Sequence, residues 1–154
     1  MGQDDTKHNL LFISKYPQII HEFTDAMKDR DIEIETAING IEAAAKIKKK
    51  NYDIVITGLS LEGYNGEQII TYLNKTAPST VCIIYTTTIS SAQLHFFINE
   101  RNVFRVFLRP VDFRGAFWEA LEEAYEYHAV QVKNEEDTGA RRQEQEKQER
   151  EIEI

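Results

Sequence analysis

Four histidines, one cysteine and a scatter of hydroxyls are the residues of this chain that could carry metal or nucleophilic chemistry. His21-Glu22 opens as a zinc-protease H-E-x-x-H helix would, but Asp25 stands where the second histidine belongs. No two of His8, His21, His95 and His128 have metal-ligand spacing. His8 reads as part of a polar leader and the other three as helix-surface residues. Gly58, Gly63 and Gly66 are not followed by the Gly-Lys-Ser/Thr of a phosphate-binding loop. No nucleophile elbow surrounds any serine. Cys82 lies inside the apolar run VCIIY and reads as a small core hydrophobe. What remains is a sparse set at the ends of apolar runs: Ser14 and Lys15 after the first, Gly58 after the second, Thr86 and Arg109 after the last two. If those runs are parallel strands, Lys15, Thr86 and Arg109 converge in one pocket, where a guanidinium can hold an oxyanion through paired donors.

The elements that would place them alternate five times. Strands are predicted at Asn9–Ser14, Ile32–Thr36, Asp53–Leu59, Thr80–Thr86 and Val103–Leu108, and helices at Tyr16–Arg30, Ile41–Lys50, Asn65–Lys75, Ser90–Glu100 and Phe113–Lys133. Four of the strands are short apolar runs, as expected for strands buried on both faces. Ile32–Thr36 (IEIET) alternates with period two and reads as an edge with one exposed side. Single amphipathic helices between strands imply βαβ units and a parallel sheet. Right-handed crossovers leave few arrangements, and the flavodoxin-like order 2-1-3-4-5 is the one expected, with sites at the carboxyl ends of the strands.

The chain has 154 residues, enough for one domain and an appendage, and 42% are apolar. The expected organisation is a flexible leader over 1–8, the α/β domain over 9–133, and a charged tail or linker over 134–154 that could lead to an output domain. The tail holds eight acids and four bases and, before Ile152, almost no large apolar residue. A favourable Glu146–Arg150 pair contributes roughly 0.2–0.5 kcal/mol, less than an isolated short helix costs to nucleate. A solvated, fraying segment is therefore expected, with a charged helix as the alternative. The net charge of −8 disfavours nucleic acid and anionic membranes. The N-terminus lacks the apolar stretch of a signal peptide, and no run is long enough to span a bilayer. With cysteine scarce, a cytoplasmic protein is expected.

Five landmarks in order resemble the receiver domains of two-component response regulators over about residues 9–130: LLFISKYP (10–17), YDIVITGLSLEGYNG (52–66), Val81–Thr86, NVFRVFLRP (102–110), and the long helix after Pro110. Receivers hold Mg²⁺ with two acids and an acceptor aspartate, while a hydroxyl and a lysine contact the phosphoryl group. Matched position by position, the acid pair is Ser14 and Lys15, the acceptor is Gly58, the hydroxyl is Thr86 and the lysine is Arg109. The aromatic three residues before that lysine is Val106. Glu62 is the one acid in the following loop that could approach the pocket. Mg²⁺ requires hard oxygen ligands, usually carboxylates, and glycine offers no nucleophile. The resemblance thus implies a degenerate pseudo-receiver with no catalytic residue, no metal and no cofactor.

Such a module would act by protein contact in a phosphorelay-related pathway. Receivers commonly use the helix 4–strand 5–helix 5 face, and Phe96, Phe97, Tyr125, His128 and Val132 are the residues expected on it. An exposed apolar stripe there would support a homodimer. The alternatives are a small-anion sensor whose cationic pocket uses Lys15 and Arg109, and, with no cofactor motif behind it, a flavodoxin-like enzyme.

Overall fold

The computed structural model describes residues 8–100 and 102–152, and from residue 138 onward the backbone only. Five strands, β1 (His8–Ile13), β2 (Ile32–Ala37), β3 (Ile54–Thr57), β4 (Val81–Thr86) and β5 (Val103–Leu108), form one parallel sheet of order β2-β1-β3-β4-β5. Five helices connect them: α1 (Pro17–Ala26), α2 (Gly40–Lys49), α3 (Gly66–Thr76), α4 (Ser91–Ile98) and α5 (Ala116–Ile152). This is the flavodoxin-like α/β arrangement the alternation predicts.

Strand period divides the core in two. On one face Leu10, Phe12, Ile54, Ile56, Ile83 and Tyr85 meet α1 and α5; on the other Leu11, Ile13, Val55, Cys82 and Ile84 meet α2, α3 and α4. Phe12 stacks on Phe23 at 4.2 Å, and Phe117 sits edge-on to Phe23, Phe113 and Tyr85. Each such side chain, fully buried, contributes roughly 1.5–3 kcal/mol. Cys82 is wholly buried near the amino end of β4, where the Asn102 amide lies 3.2 Å from its sulfur. β2 is an edge, as its alternation predicts: Glu33 and Glu35 point outward and share Lys50.

Caps set the helix starts. Asn39 caps α2 by accepting from Glu42 N. Asn65 with Gln68, and Ser90 with Gln93, close reciprocal capping boxes on α3 and α4. α5 starts at Ala116 rather than Phe113, because Asp112 accepts from Arg114 N through its side chain and from Gly115 N through its carbonyl. Its other end differs more. It runs for 37 residues, about 55 Å, through the segment expected to fray. Nucleation is already met by the turns docked on the sheet, and Glu, Gln, Lys and Arg are good helix formers that extend it cheaply. The Glu146–Arg150 pair lies outside the described side chains. The leader expected at 1–8 also lies outside the described residues except for His8, which opens β1. Among the described residues, no helix is long and apolar enough to cross a membrane.

Candidate functional site

The carboxyl ends of the inner strands frame a cleft of ≈ 60 Å³ lined by Ser14, Lys15, Gly58, Thr86 and Arg109, among others. Each strand is carried one step past its end by a ladder bond: Ser14 N donates to Ala37 O at 3.1 Å, Gly58 N to Ile13 O at 3.1 Å, and Arg109 N to Thr86 O at 2.8 Å. Parallel register thus brings to one rim residues up to 95 positions apart in sequence. Beyond β3 the loop folds back so closely that a Cβ on Gly66 would lie 2.3 Å from Gly58 O, which only glycine tolerates. Gly63, with φ +81°, makes the turn between.

The two cations bracket one ring. Lys15 Nζ lies 5.4 Å from the Tyr16 centroid and Arg109 Cζ lies 4.9 Å from it, with Tyr85 at 5.9 Å on the inner side of Arg109. Burial raises the Tyr85 phenol above its ordinary pKa, the Arg109 charge opposing it. Lys15 also reaches Ser60 Oγ at 3.4 Å. The Thr86 hydroxyl donates to Thr88 O. A Cβ at Gly58 would have its nearest neighbour, Tyr85 O, at 3.7 Å, so packing does not require glycine there. Glu62 is exposed and outside the cleft lining, and its carbonyl accepts from Gly40 N. Mg²⁺, the ion the resemblance implies, needs hard oxygen donors. Here the lining offers two cations and, among the described residues, no carboxylate, so the residues present do not fit that ion.

The expected interaction surface is only partly a surface. Phe97 and Tyr125 are core residues, Phe96 and Val132 are partly buried, and His128 is committed at the opposite end of the sheet. Tyr125 turns inward because its hydroxyl reaches Asn9 O at 2.9 Å. The exposed apolar residues of the α4–β5–α5 face are instead Leu94, Ile98, Leu108 and Val130, Ile98 at 73%. Leu94 and Ile98 stand one turn apart, a spacing the sequence shows, but their larger phenylalanine neighbours masked it.

A second polar cluster escaped the sequence. At the amino ends of the strands, His128 places Nε2 3.1 Å from Asp53 Oδ1 and Nδ1 2.9 Å from Ser79 O. Both ring nitrogens face acceptors, an arrangement that favours the protonated ring. The Asp53 hydrogen bond holds His128 above its ordinary pKa against burial. Burial works against the Asp53 carboxylate, but the His128 and Asn9 N–H hydrogen bonds outweigh it and hold its pKa low. His8, expected in a leader, stacks on Tyr125 at 4.2 Å and lies 3.9 Å from Asp53.

A parallel sheet of this order with its cleft at the strand ends is the flavodoxin-like arrangement. The chain belongs to the response regulator receiver domain family, whose model matches residues 11–115. It is similar to the signal receiver domain of an HD domain-containing protein from Pseudomonas fluorescens Pf-5, at 19% identity and TM-score 0.76 over 80% of this chain and 98% of that one. A CheY-like response regulator receiver domain protein from Methanospirillum hungatei JF-1 gives 18% identity and TM-score 0.74 over 81% and 99%. A structure described as adenylate cyclase from Rhodopirellula baltica gives 19% and 0.77 over 86% and 98%. At such identities these likenesses speak for the fold alone. No curated protein matches the chain in sequence.

Proposed function

We propose that this receiver transmits a signal without being phosphorylated, as a non-enzymatic module that works by protein contact in the cytoplasm. One observation carries the reading: the end of β3, where the family resemblance puts the acceptor, is Gly58, in a cleft with two cations and no carboxylate among its described lining. No carboxylate stands there to attack a phosphoryl group, and a divalent cation would meet positive charge. Incubation with acetyl phosphate and Mg²⁺ is expected to leave the mass of the protein unchanged. An adduct mapped to residues 53–62 would overturn the proposal.

The contact surface in this reading is the α4–β5–α5 face, with Leu94 and Ile98 at its centre, and the partner it first suggests is a second copy. Sedimentation at micromolar concentration is expected to give a dimer for the wild type and a monomer for Leu94→Glu/Ile98→Glu. A monomer in both cases would rule out self-association through this face.

A further inference from the structure

An open groove runs between α2 and α3, on the face of the sheet away from α5. Two clefts of ≈ 340 and ≈ 180 Å³ lie along it, and Lys48 and Tyr72 line both. The larger spans from Tyr64 to Tyr72 over Ala44 and the buried Ile69. The smaller continues past Tyr72 to Asn51 and Thr80, just before β3 and β4 begin. Tyr64 and Tyr72 are exposed, and Ile41, which lies against Gly63, is 56% exposed. The charged residues lining the two clefts are Lys48 and Lys50, with no acid among them. Lys50 is held by Glu33 and Glu35. Lys48 is exposed, follows Lys46 and precedes Lys49 in the last turn of α2, and forms no ion pair among the described residues. An aromatic groove with a positive rim fits an acidic segment that carries aliphatic anchors.

This chain contains such a segment. Residues 144–154 (EQEKQEREIEI) hold five acids, two bases and the isoleucines Ile152 and Ile154. The course of α5 puts it out of reach of its own groove, because a continuous helix on one face of the sheet cannot turn back to the other. α5 runs towards the amino ends of the strands, where His128 meets Asp53, and continues to Ile152, roughly 36 Å further. The lysine end of the groove opens at that same rim. Two copies facing each other there, related by a two-fold axis, would each lay the acidic segment along the other's groove.

We propose that the α2–α3 groove is the docking site for residues 144–154 of a second copy of this chain, in a closed reciprocal pair. The contact is separate from the α4–β5–α5 face, and Leu94→Glu/Ile98→Glu removes that face while leaving this one intact. The test therefore uses the full chain carrying those two substitutions. Sedimentation at submillimolar concentration is expected to show a dimer that high salt dissociates. A nitroxide on Gln148→Cys, with Cys82 wholly buried and unlabelled, is then mixed as one copy with a second, isotope-labelled copy. Broadening of the Ala44, Lys48, Gln68 and Tyr72 amides of the second copy is expected. Lys48→Glu and Tyr72→Ala in the second copy should each weaken the association roughly tenfold. A monomer at every concentration overturns the proposal, and so does a dimer in which the groove amides stay sharp. Broadening that persists undiminished in Lys48→Glu and Tyr72→Ala, with their spectra otherwise native, overturns it too.

Discussion

Phe117→Ala is expected to lower the unfolding free energy by about 3–5 kcal/mol, a large share of the roughly 5–15 kcal/mol that holds a domain of this kind together. Phe117 is fully buried, and its ring is surrounded by Phe23, Tyr85, Phe107 and Phe113. Cutting it to a methyl leaves a cavity among four rings that cannot collapse without moving α5 off the sheet. The urea midpoint followed by circular dichroism measures it. A change worth less than about 1 kcal/mol would mean that neighbouring aromatics refill the space and that α5 docks less rigidly than its contacts imply.

The second large effect is tied to pH. Asp53 and His128 join the start of β3 to α5, half-buried, in a geometry that favours the charged form of both partners. Because the folded His128 pKa is raised from 6.5, its contribution is complete below that value and is lost as pH rises through the folded pKa. Because the folded Asp53 pKa is lowered from 3.8, its contribution is present above that value and is lost as pH falls through the depressed pKa. The pair therefore acts fully from about pH 4 to 6.5. Asp53→Asn is expected to cost about 1.5–3 kcal/mol at pH 6 and to flatten the decline in stability between pH 6 and 9. Urea midpoints at both pH values, with the wild type beside the variant, decide it. Equal slopes would assign the decline to groups other than this pair.

The strand pattern was legible because four of the five strands are apolar runs bordered by polar turns, and β5 was read to the residue. The cleft was legible for the same reason: parallel strands put residues at corresponding chain positions on one rim. What sequence could not supply was direction. Glu62 follows Gly58 closely enough to suggest itself for the pocket, but it is exposed and outside the cleft lining. Tyr16 was read as a helix start, although it is the ring both cations share. Tyr125 and His128 are surface residues by the family resemblance and core or half-buried residues in the fold. Both are drawn inward by polar partners, Asn9 O and Asp53, that lie 116 and 75 residues away in the chain. Hydrophobic periodicity carries no information about such partners. The persistence of α5 escaped for a thermodynamic reason: a segment too weak to start a helix can still continue one.

The position of Cys82 turns the single thiol of this chain into a built-in gauge. Burial pushes its pKa up, and the sulfur is wholly buried between the sheet and the helices α2, α3 and α4, so a thiol reagent can react only after that packing opens. When reclosing outpaces labelling, the modification rate equals the rate for the open chain multiplied by the opening equilibrium constant. The energetic cost of any substitution elsewhere could thus be read, without denaturant, from how fast one sulfur disappears.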